Sequence, residues 1–283
     1  MIEIILVTIT IIFLIIATIC DIKTHEIPDY LTYSLIFTGL IIKLVYSLLT
    51  NNFSLILYGI VGLAAMYLVG SSLYYTKQWG GGDTKLLMGL GITITSPEFI
   101  KTNLPFLLIL FLNIIIIGAI YSLIIGSALA IKNWKKFISE FKIISKKNSI
   151  KSLEKILFII SLAPLILIFL INFNKIFLLL VFLIINIYIP LLITIKSVEK
   201  AVMYKTILAK NLREGDWLIN PIIKNHKTLV KPRSIGLTKQ DISIIIKNKI
   251  QKVLIKEGIP FVPSITIATI FTLVYPKIFL LFI

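Results

Sequence analysis

Two aspartates stand where a carboxylate is costly to keep. Asp21 closes an apolar run that starts near residue 2, and Asp83 follows Gly80-Gly81-Gly82 and opens another. Ionisable groups at or inside membrane helices are rare and usually mark function. Two carboxyl groups held within a few ångströms cannot both ionise cheaply, so they share a proton and divide into an acid and a base near neutral pH. Such a pair can activate a water and protonate a leaving amide. Each aspartate also has a structural reading, Asp21 as an interfacial anchor and Asp83 as an N-cap. Together with the glycines, which allow φ above zero or close approach of a substrate strand, the pair favours catalysis.

The elements that must carry them read as membrane helices. Of 283 residues, 58% are hydrophobic and 15% charged, and the mean hydropathy is +0.99. A soluble domain runs nearer 45–50% apolar and about 25% charged. Apolar runs predict about eight spans, at roughly 2–20, 30–49, 54–75, 84–96, 104–131, 156–172, 175–195 and 259–282. The first run has Glu3 and no preceding basic residue, unlike a signal peptide, and is expected to be retained. Asn172-Phe173-Asn174 is the only break between the sixth and seventh spans, so these form a hairpin. The net charge of +16 suggests nucleic acid or an anionic membrane surface; the hydropathy decides for the membrane, with no nucleic acid as partner, and the alternative is a thermophile-like lysine bias with no partner at all.

Alternate loops hold 25 of the 29 basic residues, including Lys23, Lys77 and Lys85. Lys101, Lys175 and Lys277 fall on the opposite side, and Lys43 falls within the second span. The excess of basic residues on inner loops places Asp21 and Asp83 on the cytoplasmic face, with both termini outside. The expected fold is an all-α polytopic membrane protein with a small α+β cytoplasmic domain. Its divisions are a catalytic membrane core at 1–131, a basic amphipathic segment at 132–155, a hairpin at 156–195, the α+β domain at 196–258 and a final span at 259–283. The 132–155 segment sets Trp134, Phe137, Ile138, Phe141 and Ile144 among eight lysines, a pattern that lies on anionic lipid headgroups; the alternative is a solvated linker. Within 196–258, Trp217-Leu218-Ile219 and Val253-Leu254-Ile255 are strand candidates, and Thr238-Lys239-Gln240-Asp241 is a capping-box-like helix start.

Asp21-Ile22-Lys23-Thr24-His25-Glu26-Ile27-Pro28-Asp29 resembles the first motif of the type IV prepilin peptidases. Gly80-Gly81-Gly82-Asp83-Thr84-Lys85-Leu86-Leu87 resembles their second, Gly-x-Gly-Asp-x-Lys-Leu, at the family's spacing of about 60 residues and two helices. Gly215-Asp216-Trp217 and Glu257–Pro263 resemble the C-terminal region of archaeal members, including preflagellin (archaellin) peptidases. The resemblance implies an intramembrane aspartic endopeptidase, with Asp21 and Asp83 catalytic, that removes a short basic leader from pilin-like or archaellin precursors. Bacterial members often carry paired cysteines linked to N-methylation; Cys20 is the single cysteine here, so cleavage alone is expected. A presenilin-like or signal-peptide-peptidase-like protease is disfavoured because Asp21 follows Cys20 rather than Tyr and no Pro-Ala-Leu occurs. A proton-coupled transporter would favour carboxylates nearer the midplane.

Metal ligation is not expected, since His25 and Glu26 are adjacent and His226 is distant in sequence, so no metal or other cofactor enters the mechanism. Lys85, near Asp83, either tunes that aspartate or snorkels to lipid phosphate. Trp79, Tyr74 and Tyr75 read as an interface belt. Nothing in the sequence locks the two aspartates together, so a substrate-free molecule is expected to hold them loosely.

Overall fold

The computed structural model describes residues 2–76, 78–95, 104–170, 174–224, 227–233 and 236–276. Lys77, Lys101, Asn172, Phe173, His226 and Lys277, each used in the sequence reading, lie outside the described residues. The chain forms two packing units, residues 1–123 with 207–283 and residues 124–206.

The first unit begins with helices α1 (Ile2–Thr24), α2 (Asp29–Thr50), α3 (Ser54–Tyr75) and α4 (Gly81–Thr93), followed by most of α5 (Phe106–Lys132). Pro28 precedes α2 with an extended φ/ψ, and α1 ends at His25, whose φ is 55°. A non-glycine residue in that left-handed region terminates a helix sharply. The short α4 is wrapped by α2 and α3. A Cβ on Gly91 would stand 2.4 Å from the carbonyl oxygen of Gly62, so α3 and α4 meet backbone to backbone where glycine alone fits. Leu14, Leu35, Leu86, Leu87, Leu90 and Leu110 fill the core around this crossing.

The remainder of this unit is the small α+β region and a final helix. Strand β1 (Tyr204–Leu208) leads into it. Strands β2 (Trp217–Leu218), β3 (Ile222–Lys224) and β4 (Lys227–Val230) follow, then α9 (Lys239–Lys247), β5 (Lys252–Lys256) and α10 (Val262–Val274). The sheet order is β1-β5-β2, with β3-β4 a separate hairpin. Leu218 pairs with Ile255 across the antiparallel β2/β5 ladder. Thr238 accepts from the Asp241 amide, and Asp241 accepts from the Thr238 amide, so the capping box forms as its spacing predicts. Leu212, Leu218, Val230, Leu237, Ile245 and Val253 make a separate apolar core beneath these strands.

The second unit comprises the end of α5, α6 (Trp134–Ser145), α7 (Asn148–Leu170), α8 (Lys175–Val198) and a π-helical turn, Glu199–Met203. Asn174 caps α8 by accepting from the amides of Ile176 and Phe177 at 3.0 and 3.3 Å. The amphipathic helix expected within 132–155 is α6, which buries Phe137 and Ile144. Helix α7 starts at Asn148, eight residues before the predicted apolar run.

Five described helices are long and apolar enough to cross a membrane: α1, α2, α3, α5 and α8 with its π-helical turn. Helices α4 and α10 have 13 described residues each. Large apolar side chains such as Ile4, Leu57, Ile124 and Ile184 face outward on these helices. Such a surface suits lipid rather than water, and the chain is a multi-pass membrane protein.

Candidate active site

Asp21 lies in the last turn of α1, and only 7% of its surface is exposed. Its Oδ2 accepts a hydrogen bond from the Val262 amide at 2.9 Å, where α10 begins. The helix pair α1/α10 is stitched further along by Thr18 and Thr266, whose hydroxyls meet at 2.7 Å. Thr266 also reaches the Leu14 carbonyl. The C-terminal helix therefore sets the first aspartate in place.

Asp83 lies in the first turn of α4. Its Oδ2 accepts from the Gly80 amide at 3.1 Å. This bond is the reverse half of a capping box, made here without a side chain on the N-cap residue. None of Gly80, Gly81 or Gly82 has a positive φ. The role of Gly82 is close packing: a Cβ there would stand 3.1 Å from Ile27, in the loop after Asp21. The two motifs thus touch through Gly82 and Ile27. Asp83 lies within electrostatic range of Asp21, and so does the Tyr121 hydroxyl of α5. No hydrogen bond joins the two carboxyl groups among the described residues.

The loop between α1 and α2 is gripped by the α+β region. Arg213 Nη1 donates to the Thr24 carbonyl, and the same guanidinium lies 3.7 Å from Glu26. The imidazole of His25 is 3.8 Å from Glu257, just after β5. Arg213 is itself oriented through Asp216, which accepts from the Arg213 amide at 2.8 Å. Burial pushes the Asp216 carboxyl up from its usual 3.8, opposed by the Arg213 amide and charge.

Several neighbouring residues differ from the sequence reading. Trp79 is 6% exposed and packs on Phe261 with ring centroids 5.3 Å apart. It belongs to the core under the site and not to an interface belt, because the chain folds back at Gln78–Gly80 and carries the indole inward. Lys85 neither faces Asp83 nor snorkels: its ammonium bonds the Asp29 carboxylate and lies 5.2 Å from the Tyr33 ring centre. His25 and Glu26 engage different partners, and no group of three His, Cys, Asp or Glu residues suited to a metal occurs among the described residues. Val262, Arg213 and Tyr121 were not anticipated as contributors. The nearest signal was the resemblance over Glu257–Pro263, which marked the segment without identifying the Val262 amide.

Residues 8–123, which contain both aspartates, match the type IV leader peptidase family. Over this segment the chain is similar to that family. Its relatives include the preflagellin peptidase of Methanocaldococcus jannaschii, 36% identical over 92 residues that make up 32% of this chain and 37% of the relative. The preflagellin peptidase of Methanococcus voltae is 37% identical over 86 residues, 30% of this chain and 36% of the relative. The chain thus spans little more than a third of the length of the curated relatives it matches.

Proposed function

We propose that this protein is a membrane aspartic endopeptidase that removes the short basic leader from preflagellin (archaellin) or related pilin-like precursors. Asp21 and Asp83 form its catalytic pair. The observation that carries this reading is that both carboxyls, one on α1 and one on α4, come within electrostatic range inside the segment that matches leader peptidases. Each is oriented by a backbone amide, from Val262 or Gly80, so neither needs a side-chain partner to hold its rotamer. One carboxylate takes a proton from the attacking water while the other, protonated, gives its proton to the departing amide nitrogen.

The same reading places the site at the cytoplasmic face of an eight-span chain. The catalytic core is then 1–131, the basic segment 132–155, the hairpin 156–195, the α+β domain 196–258 and the last span 259–283. A precursor helix would lie among the spans while its leader reaches the rim. The purified full chain, incubated with an archaellin precursor, should release a leader-sized fragment, read by mass spectrometry. EDTA should leave the rate unchanged. An intact precursor in active-lipid conditions, or loss of cutting in EDTA with recovery on zinc, would overturn the reading.

A further inference from the structure

The second packing unit holds an open cavity of about 310 Å³, unrelated in residues to the aspartate site. It is lined by Lys147 and Ser149 at the start of α7, by Lys196, Glu199 and Lys200 at the end of α8, and by Tyr204. This size falls at the lower end of the ~300–1,000 Å³ range of small-molecule pockets. Ile144 and Ile150 supply its apolar floor and continue into a cluster with Ile189 and Ile193.

The charge of the lining is one-sided. Three lysines face one carboxylate, and Glu199 already accepts a hydrogen bond from the Tyr204 hydroxyl. Lys200 is 3.9 Å from Glu140, a long and partly exposed pair that is worth little. Lys147 and Lys196 make no ion pair among the described residues. The N-terminus of the 23-residue α7 adds positive potential to the same cavity. Convergent cations, a serine hydroxyl and a helix N-terminus suit a phosphate ester. The position is equally specific: the cavity lies where the lipid-facing apolar bodies of α7 and α8 give way to lysine.

We propose that this cavity binds one phosphate ester group, presented by the headgroup of an anionic membrane lipid. The lysines take the phosphate, and the isoleucine floor meets the glycerol end of the lipid. This differs from diffuse attraction of the basic helix α6 to a charged surface, which has no defined stoichiometry.

The test is native mass spectrometry of the full chain in neutral detergent, titrated with dioctanoyl phosphatidylglycerol. Dioctanoyl phosphatidylcholine serves as the neutral-headgroup comparison. One phosphatidylglycerol should bind saturably. The K147Q/K196Q/K200Q variant should weaken binding at least tenfold, whereas K135Q/K136Q/K142Q, which removes equal charge from α6, should change it less than threefold. Ser149→Trp fills the cavity without altering charge and should also weaken binding at least tenfold. Inorganic phosphate is added as competitor. Failure of phosphate to displace the lipid assigns the site to a lipid-borne ester; displacement at millimolar concentration supports the phosphate site and assigns it to the free anion as well. Equal loss in the two lysine variants, unchanged binding in Ser149→Trp, or no saturable phosphatidylglycerol binding would each overturn the proposal.

Discussion

The two packing units use buried polarity to different extents. In residues 1–123 with 207–283, some buried polar side chains bond their own helix, as Thr10 and Thr269 do, and others join neighbouring segments. Thr18 meets Thr266, Asn113 donates to Thr272, Thr84 donates to the Gly70 carbonyl, and buried Lys43 donates to Thr95. In residues 124–206 the buried polar side chains among the described residues are Ser161 and Ser197, and each bonds a carbonyl of its own helix. Between helices in lipid, directional bonds and small-residue contacts fix register, because apolar side chains gain little by leaving lipid for one another. The unit holding the carboxyl pair is thus locked helix against helix, whereas α7 and α8 meet through apolar surfaces.

The comparison breaks most visibly at the aspartates. Asp21→Asn or Asp83→Asn should each lower the cleavage rate by at least ~10²–10⁴-fold, the scale of a lost acid or base. Ser161→Ala in the other unit should stay within about twofold of the parent in the same initial-rate assay. Near-parental activity in either Asn variant would remove the catalytic pair.

Glycine packing gives the next contrast. Gly91→Ala forces a Cβ against the Gly62 backbone and should destabilise by ~1–3 kcal/mol, as overpacking does. Gly126→Ala, whose nearest neighbour would be Val198 at 3.9 Å, should be neutral or stabilising by up to ~1 kcal/mol through helix propensity. Unfolding midpoints of the two variants in one detergent decide this; equal midpoints would mean that α3 and α4 are not in backbone contact.

Arg213→Ala tests the grip of the α+β region on the loop after Asp21. A partly exposed charged contact of about 1 kcal/mol corresponds to a roughly threefold to tenfold loss of rate. The fall should be in kcat with the unfolding midpoint unchanged. A shifted KM alone would make Arg213 a substrate contact instead.

The smallest effect concerns Asp216. Its folded-state value is raised, so its contribution to stability is full below the ordinary carboxylate value and is lost as pH rises through the raised one. Asp216→Asn should flatten that part of the melting-temperature profile just above pH 3.8. An unchanged slope would mean that another group sets it.

Local chemistry was readable in the sequence and distant chemistry was not. The Thr238/Asp241 capping box spans three residues and formed as spaced. Asp21 and Asp83 stood out because an acidic residue at the edge of an apolar run is conspicuous. The Val262 amide could not be seen, because every residue but proline offers one and its partner lies 241 positions away. The early start of α7 escaped because Lys151, Glu154 and Lys155 make its first two turns look like a loop, although all three are good helix formers. Trp79 was misplaced because the interface preference of tryptophan is a tendency, which the local fold onto Phe261 overrides. Strands β1, β3 and β4 are too short and too lysine-rich to show a period of two.

The bond from Val262 to Asp21 also bears on the birth of the molecule. Once Asp21 has been made, 241 residues must follow before the amide that orients it exists. At ~5–20 residues per second, this interval is roughly ten to fifty seconds. Once Asp83 has been added, the nascent chain carries both motifs without the bond that orients the first. The first carboxyl is thus oriented only after the second motif and the strands of the α+β region have already been made.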